Sequence, residues 1–401
     1  MNSEFRWKKL TVITLCIYLF WGTFGLDITI YHSLERFPLH RGLIVLTIFL
    51  AVVNSNAVFQ TLSQLKYLFI MILYVLLSAL WASDAEDVLK GFIFLISILF
   101  ISICAGLVFE SSRLLIIRYV FWLYLAMNLA SIYVASQYPS LGTLMIGAKL
   151  RWVGITTHPN ALGGSALLGM WLSTNLFFMS KSFLEKLICL FSAFVAFFIA
   201  IKADSMTGVI ASAIVASLVI YFYIGNRLNF ATKLIIGFCA IISIAGILGL
   251  MTSADEIVSG AFSASGRSTN FSGRTILWEK ALIAATESPL FGYGFDGLEE
   301  LTNKYHFAMS HMHNGYLELL VKGGSIAIFL IAMIFLKTIN CLRKIRKTDE
   351  KSYIFLNTGF IMILLHSFTE SSLFRGMDSL NIMFMFIAAS SVVLYRKLKV
   401  S

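Results

Sequence analysis

The chain has 401 residues, of which 58% are hydrophobic and 13% charged, and its mean hydropathy is +0.84. That balance excludes water as the main solvent of the folded chain. The net charge of +10 is scattered over segments that flank apolar runs instead of forming one basic stripe, which excludes a nucleic-acid partner.

A hydrocarbon core takes about 20 helical residues to cross. Apolar runs of roughly that length recur at 10–26, 42–58, 67–82, 91–109, 114–134, 161–178, 185–201, 207–225, 233–251, 316–338, 353–368 and 380–395. The expected fold class is therefore all-α, a polytopic membrane protein of about twelve transmembrane helices, with 1–401 as one integral membrane domain. Arg6, Lys8 and Lys9 precede the first run, which lacks a small-residue cleavage site and reads as a retained helix. The densest cationic cluster runs from Lys337 to Lys351, and Arg396, Lys397 and Lys399 close the chain. With an even helix count, these place both termini in the cytoplasm. Cys16, Cys104, Cys189, Cys239 and Cys341 show neither metal-ligand nor disulfide-framework spacing.

Two stretches outside the membrane on this topology, 135–160 and 252–315, are long enough to expect function. Within the second, Ser272 is placed to cap a helix from Arg274 to Glu287 that Ser288-Pro289 ends, and Gly292-Tyr293-Gly294 supplies a turn. The expectation is a folded, partly helical cap over 252–315.

Four polar stretches share that face: RWVGITTHPNALGG from Arg151, KADSMTG from Lys202, GRSTNFSGRTILW with Arg267 and Arg274, and HMHN from His311. Each has a plain reading beside a functional one. Arg274 can snorkel to head groups, Arg151 can anchor an interface, Lys202 with Asp204 can form a hydrated turn, and His158 and His306 can be ordinary loop residues. His313 carries more. Asn314 suits the N-cap of the following helix, so His313 sits beside the positive end of a helix dipole, where a neutral base and a bound anion can share one place. Residues i and i+2 face opposite ways in an extended or helical segment, so His311 and His313 are not expected to chelate together, and no metal site is predicted. Asp84, Glu86 and Asp87 read as a hydrated loop. Glu318 and Lys322, spaced i, i+4, read as a pair that orients the His313 helix, with His366 and Glu370 as supporting residues.

Taken in order, RWVGITTHPNALGG, DSMTG, GRTILWEKALIAATESPLFGYGF and HNGYLELLVKGG resemble the family of bacterial O-antigen polymerases and O-antigen ligases, over about Arg151 to Gly324. The resemblance implies an inner-membrane glycosyltransferase of about twelve helices with a large periplasmic loop and both termini cytoplasmic. It also implies no cofactor. Its donor would be an undecaprenyl-pyrophosphate-linked oligosaccharide, and its acceptor a lipid-linked repeat unit or lipid A-core. Membrane lipid and chain-length regulator proteins follow as partners. By motif, the resemblance makes His313 the base and Arg274 the pyrophosphate contact, with Arg151 a further basic position. Lys202 and Arg267 stand as added anion contacts, Asn314 as a substrate-binding residue, and Tyr293, Trp278 and Tyr316 as rings that could stack on sugars. Where the family reads Ser-Arg, this chain has Ser205-Met206, with Lys202 close by as a substitute. A ligase-type spacing after His-Asn holds to Gly324 and fails at Ala327, which favours polymerase over ligase. A lipid-linked sugar transporter is the rival of another class. Such folds tend toward two similar halves, whereas the long loop here follows the ninth run.

Overall fold

A computed structural model describes residues 3–24, 37–146, 149–225, 229, 232, 274–296, 299–305 and 311–400. The expected span at 233–251, the loop at 252–273 with Ser272 and Arg267, and His306 lie outside the described residues.

The described chain is almost wholly helical, and the protein is a multi-pass membrane protein. Helices α1 (Ser3–Phe24), α2 (Phe37–Val53), α3 (Ser55–Gln64) and α4 (Lys66–Leu77) lead into the long α5 (Ala85–Gln137). A short α6 (Pro139–Gly142) opens an antiparallel hairpin, β1 (Thr143–Ile146) and β2 (Lys149–Trp152), in which Leu144 faces Arg151. Then come α7 (Pro159–Met179), α8 (Phe183–Lys202) and α9 (Met206–Ile224). After the undescribed stretch, α10 (Arg274–Glu287) and α11 (Glu299–Tyr305) precede α12 (Gly315–Ile345), α13 (Glu350–Ser367) and α14 (Ser379–Val400). Among the described residues, six helices are long and apolar enough to cross a membrane, or up to seven if the pair Arg41–Val53 and Ser55–Gln64, bent by 95°, is one span.

Two of the expected spans, 91–109 and 114–134, fall within α5. A straight helix of 53 residues would be about 80 Å long at 1.5 Å per residue, far more than a bilayer core. The backbone breaks at Ser112 (φ −152°, ψ 53°), and the contacts show which way each half runs. Near the break, Arg113 donates to Asp349 Oδ1 at 2.6 Å and to Ser352 Oγ at 2.8 Å, and Lys397 pairs with Glu110. Asp87 from the first half lines the same cavity as His158 and Asn160, which follow the second half through the hairpin. The element therefore turns back at Ser112 and makes two crossings. The expected single span at 42–58 is instead bent at Asn54, which ends α2 against Leu50 O.

Side-chain packing fills the middle of the bundle. Trp171 packs on Phe355 with ring centroids 4.3 Å apart and planes tilted by 31°, and donates its Nε1–H to Thr358 Oγ1 at 3.1 Å. Gly359 lets the two helices close, because a Cβ there would meet Trp171 at 2.6 Å. A separate small core of Leu277, Ala281, Ala284, Met312 and Val321 joins α10 to the start of α12. Of the stretch expected as a cap over 252–315, α10 and α11 are the described helices.

Candidate active site at the hairpin end of the bundle

The HNGYLELLVKGG segment forms α12, and Asn314 is its N-cap, accepting from Tyr316 N at 3.1 Å and Leu317 N at 3.0 Å. The helix is interrupted at Gly324 (φ 60°, ψ −162°), a region open essentially to glycine alone. The interruption frees carbonyls that PLFGYG takes up. Tyr293 N donates to Val321 O at 3.0 Å and Gly294 N to Lys322 O at 2.8 Å, while Ser325 N donates to Pro289 O at 2.8 Å. Tyr74 adds its hydroxyl, donating to Phe291 O and Gly323 O. A Cβ on Gly324 would lie 2.3 Å from Leu290 O. These two motifs are thus one backbone junction, which docks the cap on the bundle.

Just before the cap, His313 lies in the left-handed region (φ 47°), uncommon for a residue with a Cβ. That backbone turn overturns the expectation that His311 and His313 face apart: their ring centroids are 4.1 Å apart. Their nitrogens and a Glu370 oxygen lie within 4.8 Å of one another, so these three residues are where a divalent ion would be held. In the structure His313 Nδ1 and Glu370 Oε2 meet directly at 3.0 Å, both residues buried. With Glu370 ionised, Nδ1–H donates to the carboxylate and Nε2 is left as the basic nitrogen.

Glu370 is held from its other side. Asn160 Nδ2 donates to Oε1 at 2.7 Å, and Arg151 Nη2 donates to Asn160 Oδ1 at 3.3 Å. Arg151 also donates from Nε to Ala203 O at 2.9 Å and from Nη2 to Asp204 O at 2.8 Å. One chain of contacts therefore runs from DSMTG through Arg151 and Asn160 to Glu370 and His313, tying three of the four motifs together. Ser205 caps α9 and leaves no room for a side chain at Gly163, where a Cβ would meet its Oγ at 2.3 Å. Glu318 accepts from Met312 N at 3.2 Å and pairs with Lys322 at 3.4 Å, so the pair fixes the segment between the two histidines.

A cavity of about 600 Å³ opens beside this network, walled by His158, Asn160, His311, His366, Glu370 and Arg375 among others. His313 is buried against that wall and is not part of it. Burial, followed by the field of Arg375, holds the His311 imidazole well below its ordinary range, at about 4. Burial also lowers His158, whose Nδ1 accepts from Asn160 N. Loss of hydration pushes the carboxyl of Asp378, half-buried just before α14, up to about 6.

The expected anion contacts are distributed differently. Arg151 is spent on the carbonyls and amide just named, and Lys202 lies over the rings of Trp152 and Phe198, 5.7 and 5.8 Å from their centroids; neither lines the cavity. Tyr293 belongs to the cap, where its hydroxyl meets that of Tyr305 at 2.9 Å, and Tyr316 donates to Leu364 O. Arg274 opens α10, one helical turn before Trp278, whose Nε1–H donates to Met312 O at 2.9 Å, the carbonyl preceding His313. The α10 helix thus starts beside the histidine segment. Asp84 caps α5, accepting from Asp87 N, and is itself fixed by Asp296, which accepts from Ser83 Oγ and Asp84 N. Sequence reasoning gave Asn160 and Arg375 no role. Asn160 sat inside a recognised motif; Arg375 carried no signal beyond its position between two spans.

Residues 191–332, from within α8 to within α12, match the family model described as O-Antigen ligase. The resemblance to the O-antigen polymerase and ligase family is borne out. An uncharacterized protein of Haemophilus influenzae is 28% identical over 221 residues, covering 49% of this chain and 53% of that protein. The exopolysaccharide production protein ExoQ of Rhizobium meliloti is 25% identical over 197 residues, covering 46% of this chain and 45% of its own length. The chain spans about half the length of the curated relatives it matches. The region matched by the O-antigen ligase model contains DSMTG, the start of α10 and His313, whereas Arg151, Asn160 and Glu370 lie outside it.

Proposed function

We propose that this protein is a glycosyltransferase of the bacterial inner membrane that moves an undecaprenyl-pyrophosphate-linked glycan onto a sugar hydroxyl, polymerising O-antigen or a related surface polysaccharide. The observation that carries the reading is the buried His313–Glu370 pair beside a polar cavity at one end of an apolar bundle. A sugar hydroxyl has to lose its proton as it attacks the anomeric carbon, and a positioned base contributes about 10² to 10⁴ in rate. His313 takes that proton at Nε2 while Glu370 holds the ring and offsets the charge it gains. The glycosidic bond to the lipid pyrophosphate breaks as the new one forms, and guanidinium groups receive the negative charge on the leaving group. Arg274 fills that role from the start of α10. A single displacement inverts the anomeric carbon.

In this reading the cavity faces the periplasm, both termini are cytoplasmic, and chain-length regulator proteins act on the product. The test is polymerisation of lipid-linked repeats by the purified protein in detergent. Wild type should yield a ladder of products, and His313→Ala should yield none while remaining monodisperse. A His313→Ala variant with wild-type turnover removes the base assignment, and a product of retained configuration removes the single displacement. The description of the matching family model favours a second reading, transfer to lipid A-core by a ligase. Deleting the gene separates the two: loss of a polymerase leaves single repeats on the core, and loss of a ligase leaves none.

A further inference from the structure

With Arg151 and Lys202 engaged elsewhere, the cavity still contains three cations, Lys90, Lys322 and Arg375. Lys90 is paired with Glu86 at 2.8 Å and Lys322 with Glu318 at 3.4 Å. Arg375 differs. Its hydrogen bond among the described residues is a long one, from Nη1 to Ser371 O at 3.4 Å, and its side chain is exposed to the cavity space.

The loop that presents it is held in a strained shape. Phe374 on one side has φ 56° and Gly376 on the other has φ 36°. Asn381 fixes both flanks, accepting from Phe374 N at 3.1 Å and donating from Nδ2 to Gly376 O at 3.2 Å. Asp378 anchors the same turn by accepting from Leu380 N and Asn381 N. Among the described residues, left-handed backbone at a residue other than glycine occurs at Asp204, His313 and Phe374, and all three belong to this end of the bundle. Such strain persists only where surrounding bonds impose it, and it accompanies ligand clamps. The N-terminal turns of α5, α7 and α14 also line the cavity, through Asp87, Asn160 and Leu380 among others, and each brings the positive end of a helix dipole. Acids are present as well: Asp87, Asp296, Glu318, Glu370 and Asp378 line the same space. Asp296 is committed to Ser83 Oγ and Asp84 N, Glu318 to Lys322, Glu370 to Asn160 and His313, and Asp378 to backbone amides, while Asp87 lies in the field of Lys90.

We propose that Arg375 is the cavity's phosphate-binding residue, the guanidinium that grips the pyrophosphate of the lipid-linked donor while the fixed Phe374–Gly376 turn holds it in place. This rests on the function proposed above and adds to it a contact from the loop between α13 and α14, outside the segment matched by the family model. A planar, pre-positioned guanidinium can take two phosphate oxygens at once, which an ammonium cannot.

The experiment measures binding of undecaprenyl pyrophosphate and of undecaprenol to the full-length protein in detergent, by native mass spectrometry with inorganic pyrophosphate as competitor. Wild type should prefer the diphosphate, and Arg375→Ala should bind it about tenfold or more weakly. Undecaprenol binding should stay unchanged, and Arg375→Lys should recover only part of the loss. Arg375→Gln replaces the alanine variant if the latter is not monodisperse. Wild-type affinity in a folded Arg375 variant overturns the assignment and leaves the enzyme reading standing. A wild-type protein with no preference for the diphosphate overturns the lipid-pyrophosphate reading itself, whatever Arg375 does.

Discussion

Charged groups gather at both ends of the bundle, but in contrasting ways. At the end near Asp349 they meet in pairs at the surface: Arg113 with Asp349, Lys397 with Glu110, Arg118 with Glu185. Each pair joins two helices, and the further bonds beside them, Arg113 to Ser352 and Ser180 to Glu185, are to neighbouring hydroxyls. At the hairpin end the polar groups are consecutive, from half-buried Arg151 and Asn160 to buried Glu370 and His313, and the backbone beside them is strained at Asp204, His313 and Phe374. Burying such a chain is costly unless every member is satisfied, and a bundle needing only to hold together has the cheaper solution seen at its opposite end. The contrast sets the hairpin end apart without reference to any motif, and it is there that the proposed site lies.

The largest effect that would sharpen this comparison is on turnover. Glu370→Gln keeps the shape and one hydrogen bond to His313 but removes the charge that favours Nδ1–H. It should lower kcat about 100-fold or more with KM for the lipid-linked donor little changed, and Glu370→Asp should recover part of the rate. A loss appearing only in KM, or only as lost protein, would make Glu370 a structural residue and place the two ends on the same footing.

Next in size is the backbone junction that seats the cap. Gly324→Ala places a Cβ 2.3 Å from Leu290 O at a φ of 60°, and should destabilise the protein by about 2–4 kcal/mol, read as a lower midpoint of unfolding in detergent. An unchanged midpoint would mean that PLFGYG and the Gly323-Gly324 pair are not joined as described.

A third prediction uses pH. His311 is held at about 4 in the folded protein against about 6.5 when unfolded, so the unfolded state binds more protons between those values and stability falls as pH drops from 6.5 toward 4. Asp378 is raised to about 6 from 3.8, so the folded state binds more protons and stability instead falls as pH rises from 3.8 to 6. The two slopes oppose each other in the shared window. Asp378→Asn should therefore steepen the loss of stability on acidification, and His311→Gln should reduce or reverse it. Parallel pH–stability curves for wild type and both variants would show that neither group is buried as described.

How much of this was legible follows from what kind of signal each feature leaves. Hydropathy marks apolar runs, so the all-α membrane class was plain, and the cap rules placed Asn314 correctly. Reversal at Ser112 was legible as a gap between two runs even though one helix label spans both. The bend at Asn54 was not, because Asn54 sits inside a run whose mean hydropathy hides it. At the site, the i, i+2 rule separated His311 from His313 because it assumes regular backbone, and a single left-handed residue reverses it. The partners of Glu370 lie 57 and 210 positions away in sequence, so no local spacing could have assigned its role. Arg151 stood out in the sequence as a cation, but a guanidinium aimed at backbone carbonyls reads the same there as one aimed at a phosphate.

The smallest expected effect lies at the opposite end and tests the other half of the contrast. Arg118 forms a two-pronged contact with Glu185, Nε to Oε1 at 2.7 Å and Nη2 to Oε2 at 2.9 Å, joining α5 to the first turn of α8. The contact is bidentate, but the Arg118 side chain is 45% exposed, so water and salt screen the attraction. Glu185 keeps its place without the arginine, since it lies in the first turn of α8 and accepts a bond from Ser180. Arg118→Ala should therefore cost about 0–1 kcal/mol in detergent unfolding, less at high salt, and leave the rate of glycan transfer unchanged. If this variant instead loses transfer while remaining folded, the pairwise end of the bundle is coupled to the cavity, and the division of labour between the two ends is wrong.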